Sequence, residues 1–156
     1  MLDRRFLRVS ILVLISASLA WGRDLALVSN KSNAVSVITL ADLVKVSKAQ
    51  TNRWPDGKPV TFVMRSPSVP AMKVVLEKVY GMSENEVRGL IVTSNHGRNE
   101  RPAIVVATSD DDLVNKVASL PGAVGVVDVY AINSSVTVVK IAGKLPLEPG
   151  YLLHSN

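Results

Sequence analysis

Apolar residues fall into two patterns along this chain: short unbroken runs, and positions spaced three and four apart. Leu25–Val28, Val60–Met64, Ala103–Ala107, Ala123–Val127 and Val136–Ile141 are runs in which polar residues rarely alternate with apolar ones. Such runs read as strands covered on both faces. Helical spacing fills the gaps. Thr39 stands as an N-cap with Asp42 three residues on, and Leu40, Leu43 and Val44 share a face, which predicts a helix over 40–48. Pro70 suits a first helical turn, Met72, Val75, Leu76 and Val79 follow at helical spacing, and Gly81 serves as a left-handed stop. Ser83 with Glu86 opens a shorter helix carrying Val87, Leu90 and Ile91, and Ser109 caps another carrying Leu113, Val114 and Val117. The predicted order is β-α-β-α-α-β-α-β-β. That order implies a three-layer α/β fold, a mainly parallel sheet flanked by helices. Ser29–Asn33, Trp54–Gly57 and Thr93–Arg101 read as polar turns or loops.

Residues 1–22 stand apart from this pattern. Arg4, Arg5 and Arg8 precede an apolar run from Ile11 to about Leu19, shorter than the roughly 20 residues a bilayer span needs. The segment reads as a cleaved signal peptide, with small residues placing cleavage after Ala20 or Gly22. Arg4-Arg5-Phe6-Leu7 is one residue too tight for a twin-arginine signal, so the export route stays open. The mature protein is expected as a single domain over 23–156, periplasmic or secreted, with no stable membrane insertion.

Loss of Arg4, Arg5, Arg8 and Asp3 lowers the formal charge from +5 to +3. No basic stripe interleaved with aromatics remains, and no nucleic-acid partner is expected. The absence of cysteine excludes disulfides, thiolate metal sites and a cysteine nucleophile, and two histidines leave little imidazole chemistry. No serine stands in a recognisable triad setting. The chain reads as a non-enzyme without cofactor or metal.

The segments Leu27–Asn33, Leu40–Leu43, Trp54–Val60, Leu120–Asp128 and Gly143–Leu153 occur in an order that resembles the phosphate-type substrate-binding proteins of ABC transporters, the periplasmic phosphate-binding family. The stretch Pro121-Gly122-Ala123-Val124-Gly125-Val126-Val127-Asp128 carries most of the resemblance. It implies a periplasmic-binding-protein-like fold, normally two lobes closing over an oxyanion, of which this chain is similar to one lobe. It also implies an anion grip formed by an arginine after a strand and a serine-glycine-threonine at a helix start. Arg65 matches the arginine, and Ser68 matches the serine if the loop is one residue shorter; Val69 and Pro70 replace the glycine and threonine. Arg65, Ser66 and Ser68 are therefore the candidate anion-binding residues. Backbone amides and a guanidinium fork suit a small oxyanion such as phosphate.

Every candidate has a plainer account. Ser68 also stands where it would cap the helix starting at Pro70. Ser29, Asn30, Ser32 and Asn33 follow a strand end, the usual place for ligands of open sheets, but a polar turn accounts for them. His96, Arg98 and Arg101 form a second candidate anion or partner patch on a loop expected to be solvated. Asp110–Asp112 suit a helix start better than a metal, and Trp54 reads as a core or turn anchor. Two functions follow. One is a solute-binding-like protein that needs a homodimer, an ABC permease or another partner to enclose an ion. The other is an interaction module in an envelope complex that has lost its ligand.

Overall fold

A computed structural model describes residues 23–155. The expected leader and its cleavage sites lie outside the described residues. The strands are β1 (Arg23–Asn30), β2 (Val37–Ile38), β3 (Thr61–Arg65), β4 (Ile104–Ala107), β5 (Ala123–Asp128), β6 (Val136–Ile141) and β7 (His154–Ser155). The α-helices are α1 (Leu40–Ser47), α2 (Lys73–Val75), α3 (Glu84–Asn95) and α4 (Asp110–Ser119). The strands form one sheet in the order β2-β6-β1-β5-β3-β4, with β7 also paired to β1.

The α/β class and the three layers follow the sequence pattern. Along β1, Leu25 and Leu27 enter the core shared with α1, α2 and α3. Ala26 and Val28 enter the second core, where α4 contributes Leu113, Val114 and Val117. Successive residues of a strand point to opposite faces, so a strand between two helical layers must be apolar throughout. At about 25 cal/mol per Å² of apolar surface, each of the buried leucine and valine side chains contributes on the order of 2 kcal/mol.

The sheet is mixed. β3 runs parallel to β4 and β5, and β2 runs parallel to β6. β1, however, is antiparallel to β5, β6 and β7. Burial on both faces is blind to strand direction, so the apolar runs carried no sign of this reversal.

The caps are as the sequence implies. Thr39, Ser83 and Ser109 each accept the amide of the third residue of their helix, and Gly81 ends its helix at φ +59°. Three local features differ. Ser29 and Asn30 are buried strand residues, not part of a surface turn. Thr93–Asn95 extend α3 into the expected loop. The passage after Pro70 changes pitch, from a 3₁₀ turn (Pro70–Met72) through α2 to a π turn (Leu76–Tyr80). That wider turn leaves both Val79 and Tyr80 buried, and the Tyr80 hydroxyl donates to the Ser47 carbonyl at 2.9 Å.

Candidate functional site

Arg65 ends β3, and Asp128 ends the adjacent β5, so both lie at the carboxyl edge of the parallel part of the sheet. Because β1 runs the other way, its first residue, Arg23, arrives at the same edge. α4 starts there too, with Asp110 and Asp111 in its first turn. A cleft of about 260 Å³ lies between Arg23, Arg65, Val69, Pro70, Asp110 and Asp128. A second, of about 490 Å³, continues along the edge past Asp111 and the exposed ring of Tyr130.

The two guanidinium groups of this edge are already paired. Arg65 Nη1 donates to Asp110 Oδ1 at 2.6 Å, and Arg23 Nη1 donates to Asp128 Oδ2 at 3.2 Å. Asp128 also accepts the Tyr130 amide at 2.9 Å. Two guanidinium groups face three carboxylates, an excess of one negative charge. The Arg65 Nε is nevertheless buried without a partner. Such an unmet donor costs about 1–3 kcal/mol.

Ser66 and Ser68 lie on the turn that follows, with their hydroxyls 2.9 Å apart, and they do not line the smaller cleft. Ser68 does not cap the next helix. Val69 holds the cap position, without a side-chain bond. Ser68 therefore stands one residue too early, and the amide that Pro70 lacks removes one bond a cap would satisfy.

The other candidates are structural. Asn30 donates to the Val117 and Ala118 carbonyls at 2.9 Å and accepts from Ser32. Asn33 donates to Ser29 Oγ and the Ala123 carbonyl, and accepts the Gly122 amide at 2.7 Å. These residues sit at the carboxyl end of β1, but β1 is reversed, so they lie at the opposite rim from Arg65. Arg101 donates to Thr61 Oγ1 at 3.0 Å and to the Pro59 and Pro121 carbonyls, and burial pulls its guanidinium below its ordinary pKa. Arg98 bonds Asn52 instead, so Arg98 and Arg101 form no shared patch, and His96 is an exposed helix terminus. Trp54 anchors its turn by donating to the Gly122 carbonyl at 2.8 Å. The three aspartates of α4 diverge: Asp110 turns to Arg65, and Asp112 turns to Lys116 and the Thr108 amide. The Lys116 ammonium first, then the Thr108 amide, hold the Asp112 carboxyl below the ordinary carboxylate range. Among the described residues, no group of three or more acidic or histidine side chains is arranged to hold a metal.

Sequence reasoning missed Arg23, Asp110 and Asp128 as parts of this edge. Asp128 closes the most telling motif, which was the available signal. Arg23 gave none, since its place depends on the reversal of β1.

No family model matches the chain, and no curated protein does. Solved structures do match its fold. The ABC-type phosphate transport receptor from Vibrio cholerae is similar with a TM-score of 0.66 and 18% identity, over 86% of this chain and 54% of that one. PstS from Borrelia burgdorferi gives a TM-score of 0.64 and 12% identity, over 86% and 55%. A phosphate-binding protein from Stenotrophomonas maltophilia gives 0.59 and 15%, over 80% and 40%. The chain shares its fold with these structures over part of their length, and it spans about half of each.

Proposed function

We propose that this chain is an exported, non-enzymatic, solute-binding-like protein related to the phosphate-binding components of ABC transporters, and that it takes a small oxyanion such as phosphate at its carboxyl edge. The fold supports the class. The observation that carries the ligand reading is Arg65, which ends β3 with only one ion pair made and its Nε buried and unmet. An oxyanion entering there gains the donors of a guanidinium fork, and the Ser66 and Ser68 hydroxyls, on the adjoining turn outside the cleft, join it only if that turn moves inward. It must also displace Asp110 and approach Asp111 and Asp128. A single lobe with that electrostatic cost binds weakly, and a homodimer, a permease or another envelope protein completes the enclosure.

A second reading has the domain working as an interaction module without a ligand. The 2.6 Å contact of Asp110 with Arg65 favours it, because a carboxylate of the protein already fills the place of the anion. Val69 and Pro70 favour it as well, since they remove the close approach and one amide donor.

Calorimetric titration with phosphate and with sulfate separates the two. Under the first reading, phosphate releases heat, Arg65→Ala abolishes it, and Asp110→Asn strengthens it. No heat from the unsubstituted protein or from Asp110→Asn at millimolar anion supports the interaction module. Fractionation with amino-terminal sequencing tests export: a periplasmic or secreted chain beginning at Trp21 or Arg23 agrees with it, and a cytoplasmic chain retaining Met1 refutes it.

A further inference from the structure

The rim of the sheet at β4 carries a pattern that the anion site does not use. The Phe62 amide donates to the Ala103 carbonyl, which fixes the phase of the β3–β4 ladder. Residues 105 and 107 therefore turn their peptide groups towards β3, and residues 104, 106 and 108 turn theirs outward. An outward row of this kind is a template on which another chain can add a strand. Here the row is plugged. Asn95, the last residue of α3, donates from Nδ2 to the Ile104 carbonyl at 2.8 Å and accepts the Ile104 amide on Oδ1 at 3.0 Å. These are the two bonds that a neighbouring strand residue would make. At the far end, Asp112 Oδ2 accepts the Thr108 amide at 2.9 Å and its hydroxyl at 3.2 Å. Between the plugs, Val106 alone keeps an outward amide and carbonyl with no strand partner, and the residue is 40% exposed.

We infer that Asn95 and Asp112 are edge guards, and that they keep a second copy of this chain from pairing with β4. The occupant follows from the strand itself. Ala103-Ile104-Val105-Val106-Ala107 is uncharged, apolar and mostly β-branched, so two such edges complement each other across a two-fold axis. The opposite edge needs no guard, because β2 is only two residues long. Asn95 is the cleaner guard to test, since the Asp112 carboxylate also accepts from Lys116 and the Asp112 amide donates the cap bond of α4 to Ser109.

Sedimentation velocity over a concentration series, with circular dichroism as the check on folding, tests the inference. Asn95→Ala should show an average mass rising towards twice that of the unsubstituted protein as concentration increases. Adding Val106→Lys should cancel that rise, because a lysine on the open rung blocks pairing. A folded Asn95→Ala variant that associates no more than the unsubstituted protein overturns the inference, as does association that Val106→Lys leaves unchanged. Amide exchange in the unsubstituted protein decides the matter even if the variants do not fold. Ile104 and Thr108 should be protected while Val106 exchanges readily; protection at Val106 equal to that at Ile104 means the rung is already covered, and refutes the idea.

Discussion

Replacing Asn30 with alanine tests whether the polar cluster after β1 is scaffold or site. The Asn30 side chain makes four hydrogen bonds, two of them to the Val117 and Ala118 carbonyls. Those carbonyls belong to the last turn of α4, where no intrahelical partner exists. Asn30 itself is 5% exposed, so an alanine there leaves the carbonyls facing a small void instead of water. The two bonds to exposed Ser32 are recovered largely by solvent. The buried Val117 carbonyl left without a donor costs about 1–3 kcal/mol and the part-buried Ala118 carbonyl about 1, an expected loss of about 2–4 kcal/mol. Urea unfolding should show this as a lower midpoint at an unchanged slope. Asn30→Asp should lose at least as much, because it keeps the acceptor for Ser32 and sets a carboxylate against two carbonyl oxygens. Any anion binding at Arg65 should survive both changes, since that rim is the far one. A loss below about 0.5 kcal/mol, the level of an ordinary surface change, would falsify the assignment of Asn30 as the C-terminal cap of α4.

Three further outcomes follow from the packing and the charges. A Cβ on Gly125 would meet the Val63 carbonyl oxygen at 2.8 Å and methyls of Leu113 and Val117 at 3.0 Å, so Gly125→Ala should cost about 1–3 kcal/mol in thermal or urea unfolding; a neutral result would mean that α4 is free to move away. Asp112 is held below the ordinary carboxylate pKa, so its contribution is complete above that ordinary value, about 3.9, and is lost as pH falls through the lower folded value. The stability gap between the unsubstituted protein and Asp112→Asn should therefore be constant near neutrality and narrow as pH falls below the ordinary carboxylate value; a gap that widens on acidification contradicts the sign. Burial raises the phenols of Tyr80 and Tyr151, so ultraviolet titration should leave both un-ionised near pH 10, where a free tyrosine is half titrated; full ionisation of all three tyrosines there would show that the two rings are not enclosed.

Helix starts were the most legible features, because a cap is a local arrangement. Thr39, Ser83 and Ser109 announce their helices from residues within four positions, and Gly81 announces a stop. Fully apolar strands were legible for a similar reason, since burial on two faces leaves one pattern. Direction was not legible. β1 reverses through contacts such as Leu25 with Asp128, far apart in sequence, and that reversal sends Asn30 to one rim and Arg23 to the other. Arg65 could be found because it follows directly on a strand. Its pairing with Asp110 could not, because an aspartate in a first helical turn is accounted for by the helix dipole alone. The pitch changes after Pro70 were hidden as well, since 3₁₀, α and π turns accept the same apolar spacing over so short a passage.

The position of β1 has a consequence for how the molecule assembles. This strand is the earliest of those described, yet it sits mid-sheet, and its partners β5 and β6 come from the last third of the sequence. During synthesis β1 must therefore wait, with both flanks bare, until about a hundred further residues have emerged, and its ladders close loops whose entropy is lost before any bond repays it. Folding should be slow and late for that reason, with β3, β4 and the helices between them able to form first.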